Sequence, residues 1–589
     1  MTIAGDELAM AGSREDMLAA LRARPEVQAI VIGGGINGIS VFRELALQGV
    51  RVLLVDRGDF CGACSAAPSR MIHGGLRYLE NGEIGLVRES LRERDALLRN
   101  APHMVHPLPT TVPIQHTFSG ILNGAFGVLG LRSRPAERGA LPVKLGLAVY
   151  DILSRPRRTM PRHVFRGRAA TAALWPDLPP SVRYSATYSD AWISYPERLG
   201  IELIADSRAA NREALAINHL AVERRDGAAI VLRDTLSGAA LTVRAEVVIN
   251  ATGAWTDETN AILASGEEAP ARFVGGTKGS HLILDHPALF RALNGHMIYF
   301  ENVDGRVCIL FPYLGRVLLG STDIRIERPG DVRCEDEEVD YILKSLSYVF
   351  PGIVVQPEDI VYRYSGVRPL PISDASFTGR ISRDHFVAEL PGSPPVLCLV
   401  GGKWTTFRAF GEQAADRALA ILGVPRTIGT MDLPIGGGAG FPADEEGRVG
   451  LVDRVAAEAG VDRDRAAHAV DRYGTGASDV LAFCSGFDDA RLAATGYTTA
   501  ELRHLIRAEH ARTLADLLQR RTSIAITGCL SSAAIAEAAR ILAEELGWTA
   551  EHAASEEAAF RARIARDHGL TEDILAERDR NARRSLACA

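Results

Sequence analysis

The chain has 589 residues, of which 47% are hydrophobic and 24% charged, and carries a formal net charge of −7. That length accommodates two or three domains with large cores. The acidic balance excludes a nucleic-acid partner, which would require a basic face, and eight cysteines over such a length do not make a disulfide framework.

Residues 1–26 are acidic and polar, without a basic n-region or an apolar h-region, and read as an N-terminal extension with no secretion signal. No stretch approaches the ~20 apolar residues needed to span a bilayer, so the expected location is the cytoplasm. Val27-Gln-Ala-Ile-Val-Ile-Gly33-Gly34-Gly35-Ile-Asn-Gly38, followed by Val52-Leu-Leu-Val-Asp56, reads as strand, tight turn, helix, strand and acid. Gly33 lets the strand turn, Gly35 leaves room for a pyrophosphate at a helix N-terminus, and Gly38 lets helix and strand approach. Asp56 stands where an acid accepts from a ribose hydroxyl. The segment predicts a bound dinucleotide and leaves NAD and FAD open.

Cys61-Gly-Ala-Cys64 lacks a thioredoxin context and reads as small residues lining a cofactor. No second CxxC or nearby histidine pair supports zinc, so no metal is expected. From Glu83 to Asn100, Ile84, Val87, Leu91 and Leu98 share one helical face. Phe118–Leu131 is fourteen residues without a charge, followed by Arg132, Arg134, Arg138 and Lys144. It fits either an apolar face dipped into a membrane beside basic anchors or a buried loop or subunit contact.

Val247–Gly253 and Val396–Lys403 each read as a buried strand ending in a small-residue turn, the second feeding a helix from Thr405 to Leu422. With the first glycine turn, three strand ends are expected to meet at the carboxyl edge of one sheet, where open α/β sheets bind ligands. Residues 265–365 carry β-type runs and read as a sheet-rich substrate domain inserted into a unit spanning 27–430. Pro434–Pro442 is a glycine-rich linker. Residues 431–589 read as a separate helical domain with no chemistry of its own, in which Thr498-Thr-Ala-Glu501 makes a capping box before Leu502, Leu505, Ile506, Leu514, Leu517 and Leu518.

Four clusters have the composition of chemistry: His73-Gly74-Gly-Leu-Arg77-Tyr78, Lys278-Gly-Ser-His281, Tyr364-Ser-Gly-Val-Arg368-Pro and Gly401-Gly402-Lys403-Trp-Thr405-Thr406. Singly, each has a plain structural explanation: a satisfied core histidine, a surface arginine, a solvated lysine.

Together, in this order and with the glycine fingerprint, they resemble the FAD-dependent glycerol-3-phosphate dehydrogenases of the quinone-linked respiratory type. The likeness spans nearly the whole chain and includes Met71–Glu80, Asn250–Gly253, Thr322-Asp323 and Arg520-Arg-Thr522. The resemblance implies FAD, and an α/β architecture: a Rossmann-like FAD-binding domain, an inserted β-rich substrate domain and a C-terminal helical domain. It implies oxidation of sn-glycerol 3-phosphate to dihydroxyacetone phosphate by hydride transfer to flavin N5.

Arg77 and Arg368 correspond to the substrate-anion positions, where guanidinium groups grip phosphate, and Tyr78 adds a hydroxyl donor. His281 is the expected general base, because imidazole titrates nearest neutral pH. Lys403, where a strand feeds a helix, would stabilise negative charge on reduced flavin. Ser65, Ser69, His73, Gly74, Gly253, Gly402 and Thr405 complete the expected cofactor contacts. Membrane quinone is the implied acceptor, with peripheral attachment to the inner face of the cytoplasmic membrane; the sequence leaves the oligomeric state open, a homodimer among the options. The family's paired acids after a tryptophan are replaced here by Trp192-Ile-Ser-Tyr-Pro-Glu-Arg198, and Trp404 follows the lysine. These departures leave open another polyol phosphate, such as a four-carbon one, and oxygen as acceptor.

Overall fold

The computed structural model describes residues 12–76, 83–116, 140–153, 160–264, 271–302, 304–330, 332–373, 381, 383–492 and 495–588. Two sheets organise it. The first contains β1 (Glu26–Ile32), β2 (Val52–Val55), β7 (Leu215–Ile217), β8 (Leu220–Asp226), β9 (Ala229–Asp234), β10 (Ala240–Asn250), β17 (His385–Leu390) and β18 (Val396–Gly401). Its order is β17-β18-β10-β1-β2-β7, with β9 on β10 and β8 on β9.

The central pairs are parallel, and Ala29–Val31, Val52–Val55, Val247–Ile249 and Leu397–Val400 are buried runs. Strands covered on both faces read as unbroken apolar segments, which is why they were legible. The helices Ile36–Ala46 and Phe407–Leu422 cover one face. The other receives Met17, Leu18 and Leu21 from a helix Arg14–Ala23, capped by Ser13. Part of the N-terminal extension is therefore core: Arg14 also ion-pairs with Asp234 at 3.1 Å. An amphipathic ten-residue helix hides in an acidic, polar composition because only three of its positions need to be apolar.

The second sheet contains β3 (Met71–Ile72), β4 (Val105–Ile114), β5 (Val164–Arg166), β6 (Tyr184–Ile193), β11 (Thr277–Leu284), β12 (Met297–Glu301), β13 (Val307–Tyr313), β14 (Arg316–Gly320), β15 (Ile324–Arg325) and β16 (Ile360–Arg368). Its order is β15-β11-β14-β13-β12-β4-β6-β3, with β16 on β11 and β5 on β6. The β-rich region is thus not confined to 265–365. Four of its strands come from residues 71–193, and β4 joins β12 in parallel across that sequence gap. Non-local pairing of this kind leaves no mark in sequence order.

The helices after residue 431 pack into two cores. One gathers Leu451, Val455, Val470, Tyr473 and Val480. The other merges Leu502, Leu505, Leu514, Leu517 and Leu518 with Tyr313, Tyr362 and Tyr364 of the second sheet, so this part shares a core with that sheet. Thr498 does cap the helix Thr499–Ala508, accepting the Glu501 N–H. Glu501 does not close the box; its carboxylate accepts from Arg472 at 2.9 Å and from Tyr473 at 2.6 Å, a charge-assisted pairing that outcompetes a lone backbone N–H. The predicted helices near 83–100 and 405–422 appear as Ile84–Asn100 and, after a 3₁₀ turn at Trp404–Thr406, Phe407–Leu422. The charge-free stretch 118–131 lies outside the described residues. No helix among the described residues is long and apolar enough to cross a membrane.

Candidate active site

A single cavity of about 950 Å³ runs between the two sheets, from the carboxyl ends of β1, β2, β10 and β18 to the face of β11 and β16. Gly33, Gly35, Asp56, Ser65, Ser69, His73, Gly253, His281, Arg368, Gly402, Lys403 and Thr405 all line it. Gly38 and Gly74 do not, and Arg77 and Tyr78 lie outside the described residues.

The first end is made chiefly of backbone. Gly33 has φ +105°, and a Cβ there would stand 2.6 Å from the Ala251 carbonyl oxygen. Gly38 is a packing residue, since its Cβ would meet the Gly33 carbonyl oxygen at 1.9 Å. Asp56 holds the turn, accepting from the N–H of Gly34 at 2.7 Å and of Gly58 at 2.9 Å. Burial raises its pKa, and those two bonds oppose the shift. Each carboxylate oxygen keeps acceptor capacity for a further donor. Ser65 Oγ accepts from the Ile36 N–H at 3.0 Å, pinning the segment that carries Cys61 and Cys64 over the turn. Both thiols are free, and burial raises the pKa of each. Arg57 lies over the Trp255 ring at 4.5 Å beside this end.

In the middle, Gly402 (φ +95°) turns β18 into the following helix, and a Cβ there would meet Asn37 Nδ2 at 2.6 Å. Lys403 Nζ donates to Ser90 Oγ at 2.6 Å. Burial brings its pKa down to about 8 despite Glu89, Glu83, Asp384 and Asp190, whose charges oppose the fall. Thr405 Oγ1 accepts from the His73 N–H at 3.2 Å, and Trp404 Nε1 donates to the Ser65 carbonyl at 3.2 Å, tying three chain segments around the cavity. Gly74 is spoken for elsewhere: its N–H reaches Asp190 at 2.8 Å, and a Cβ would strike the Tyr150 hydroxyl at 2.1 Å.

The far end is made of side chains, and strand alternation sorts them. Along β11, Lys278 and Ser280 turn to Glu338, at 2.6 and 2.8 Å, and serve structure. Gly279 and His281 line the cavity. His281 is 1% exposed; Nε2 contacts Ser69 Oγ at 2.8 Å, the ring stacks on Tyr364 at 5.1 Å, and Nδ1 has no partner among the described residues. Burial, then the charges of Arg368 and Arg70, bring its pKa down to about 3, so the imidazole is neutral at working pH.

Arg368, opposite Thr277 in register, donates to Asp323 at 3.0 Å and to Ser321 Oγ at 3.2 Å. Two glycines make this arrangement possible. A Cβ on Gly279 would meet Arg368 Nη2 at 2.1 Å, and one on Gly320 would meet His281 Cδ2 at 2.4 Å. Arg383 shares Asp323, at 3.6 Å. The trio of two guanidiniums and one carboxylate carries a net positive charge, lines the cavity and suits an anion. Arg383 and Arg306, a further cavity-lining arginine, were not anticipated from the sequence; neither belongs to a motif, and only the fold brings them here.

A twisted parallel sheet with a glycine turn at its carboxyl edge, facing a mostly antiparallel sheet across one large cavity, defines a flavoprotein oxidoreductase architecture. The model of the FAD dependent oxidoreductase family matches residues 28–408, and that of the C-terminal domain of alpha-glycerophosphate oxidase matches 428–553. A glycerol-3-phosphate dehydrogenase from Synechocystis sp. is 34% identical over 559 residues, covering 90% of this chain and 96% of the relative. A D-erythritol 1-phosphate dehydrogenase from Brucella abortus is 32% identical, covering 85% and 95%. In fold, the chain is similar to a glycerol-3-phosphate dehydrogenase from Bacillus halodurans complexed with FAD, with a TM-score of 0.72 at 21% identity over 95% of this chain and 98% of that one.

The chain belongs to the FAD-dependent glycerol-3-phosphate dehydrogenase family, and its cofactor is FAD. The residues fit that group: Gly33, Gly35 and Gly402 bring bare backbone to the cavity wall, and the helix Ile36–Ala46 points its N-terminus at the same cavity.

Proposed function

We propose that the protein oxidises sn-glycerol 3-phosphate to dihydroxyacetone phosphate and passes the electrons to membrane quinone. The observation that carries the substrate class is the cationic trio of Arg368, Arg383 and Asp323 beside the neutral His281, on the far side of the cavity from the glycine turn. When bound, FAD supplies the two-electron acceptor for the hydride leaving the alcohol carbon.

The chain's own residues divide the remaining work. Arg368, with Arg383 beside it and Arg77 as the resemblance suggests, grips the phosphate and fixes the alcohol carbon. His281 accepts the hydroxyl proton. Its low pKa keeps it unprotonated, and an arriving phosphate dianion offsets the field of Arg368, which raises its proton affinity when it is needed. Lys403, on the cavity wall, would supply positive charge to stabilise the reduced form of the bound cofactor. Ser65, Ser69, His73, Gly253 and Thr405 complete the cofactor's surroundings.

A four-carbon polyol phosphate is the second reading, favoured by the 32% identity to the erythritol-phosphate enzyme over 85% of this chain. Steady-state turnover on a panel of polyol phosphates separates the two. Anaerobic mixing with glycerol 3-phosphate tests the reaction itself: the yellow absorbance bleaches if the reading is right and persists if it is wrong. Quinone against oxygen is decided by hydrogen peroxide release during turnover. Attachment to the inner face of the membrane and a homodimer complete this reading, checked by co-sedimentation with vesicles and by light scattering.

A further inference from the structure

The cavity has a third region that the reaction does not use. Alternate residues of β16, Tyr362, Tyr364, Gly366 and Arg368, all line the cavity. Arg368 sits at one end of this row, and Tyr362 is six positions earlier. At about 3.3 Å per residue the two ends are about 20 Å apart, too far for one small polyol phosphate to bridge.

Around Tyr362 the wall is built by the helical region after residue 431. Gln519 Nε2 donates to the Tyr362 hydroxyl at 3.1 Å, and Gln519 Oε1 accepts from Arg563 Nη2 at 3.3 Å. His568 stacks on Tyr362 at 4.4 Å, with its Nδ1 on the Arg363 carbonyl at 2.8 Å. Arg520, Arg563 and Asp567 line the same space.

Among the described residues no carboxylate lies within ion-pair distance of Arg520 or Arg563, and Arg520 Nε is buried without a hydrogen-bond partner. Asp567 makes a two-point contact with Arg566, at 2.6 and 2.8 Å. Glu556 is engaged by the Leu514 N–H at 2.9 Å, and Asp516 by His219 at 2.8 Å. Burial lowers the pKa of Arg563 and the neighbouring Arg520 lowers it further, against the opposing charges of Asp516, Glu556 and Asp567. Charges held this way call for a counter-ion, and two planar guanidiniums with an amide suit a tetrahedral dianion.

We propose that Arg520, Arg563 and Gln519 form a second anion subsite of this cavity, which takes inorganic phosphate or the phosphate of a phosphomonoester. The inference stands apart from the choice of oxidised substrate. It gives the Arg520-Arg521-Thr522 motif two functions: Arg520 faces the cavity, while Arg521 is an internal brace on Asp59, at 2.6 Å.

The test is equilibrium dialysis of the FAD-loaded protein with radiolabelled inorganic phosphate. The parent is expected to hold two phosphates per chain, and the Arg520→Gln, Arg563→Gln double variant to hold one, its second dissociation constant raised at least tenfold with flavin content unchanged. Arg368→Gln is expected to lose the other phosphate and keep this one. If that variant still holds one phosphate, displacement of it by glycerol 3-phosphate assigns the subsite to phosphomonoesters, and no displacement assigns it to inorganic phosphate. A double variant that binds phosphate as the parent does overturns the subsite. So does a parent that holds a single phosphate, lost in Arg368→Gln. If the double variant does not accumulate, Arg563→Gln alone is used, with the same tenfold criterion. A parent whose one phosphate is lost with Arg520 and Arg563 but kept in Arg368→Gln instead sinks the proposed substrate grip and leaves this inference standing.

Discussion

The two ends of the cavity are built from different materials. At the end beside the glycine turn, backbone shapes the space: Gly33, Gly35 and Gly402 line it, Gly38 packs behind the turn, and Asp56 braces it. At the opposite end the walls are side chains, Arg368, Arg383 and His281, brought together by three antiparallel strands and a connecting segment. A backbone-built site tolerates no added atom, whereas a side-chain-built site can lose a group and keep its shape. The first should fail by not binding FAD, the second by binding it and working badly.

The largest effect expected is at Gly38. Valine there would drive its Cβ into the Gly33 carbonyl, now 1.9 Å from that position, so Gly38→Val should yield colourless or insoluble protein, read from the ratio of flavin to protein absorbance. A yellow, stable variant would break the contrast at its strongest point.

Next comes His281→Asn, which removes the proposed proton acceptor and leaves the pocket nearly filled. The turnover number should fall by about 10²–10⁴ with flavin content unchanged. Gly320→Ala approaches the same residue indirectly, because the new methyl would overlap the His281 ring at 2.4 Å. It should lower turnover without bleaching the protein.

Arg368→Ala should raise KM for the phosphorylated substrate by about 30- to 1000-fold, the range of truncating one partner of a buried charge pair at about 2–4 kcal/mol. Loss of FAD instead would mean that Arg368 belongs to the structural half.

The smallest effect belongs to Lys403, where the two ends meet. Lys403→Met should make the flavin harder to reduce by roughly 30 mV, equivalent to about 1.4 kcal/mol for a two-electron couple. With its pKa at about 8, the ammonium is charged below that pH and neutral above it. The gap in potential between parent and variant should therefore be full at pH 6–7 and close as pH rises through about 8. A gap that is constant from pH 6 to 9 would show that charge at Lys403 is not its cause.

Legibility followed the same division. The fingerprint turn, the strands feeding it and the turn before Lys403 were readable because each is local: a run of apolar residues, then glycines within a few positions. His281 and Arg368 were readable as candidates, but not the reason for their neighbours. Gly279 and Gly320 look like ordinary strand glycines until the partner strands place Arg368 and His281 against them. The capping box at Thr498 was half right, since its glutamate found stronger partners in Arg472 and Tyr473. The helical region after residue 431 was read as inert, yet its Gln519, Arg520 and Arg563 line the cavity.

Local chain chemistry was enough to specify a dinucleotide cradle, because glycine conformational freedom and apolar periodicity act over a few residues. It could not specify which distant strands would close the opposite wall. That wall depends on non-local pairings, β4 with β12 and β16 with β11, and on a helical region sharing the sheet's apolar core. Burial, which decides the protonation of His281 and Lys403, exists only once those pairings have formed.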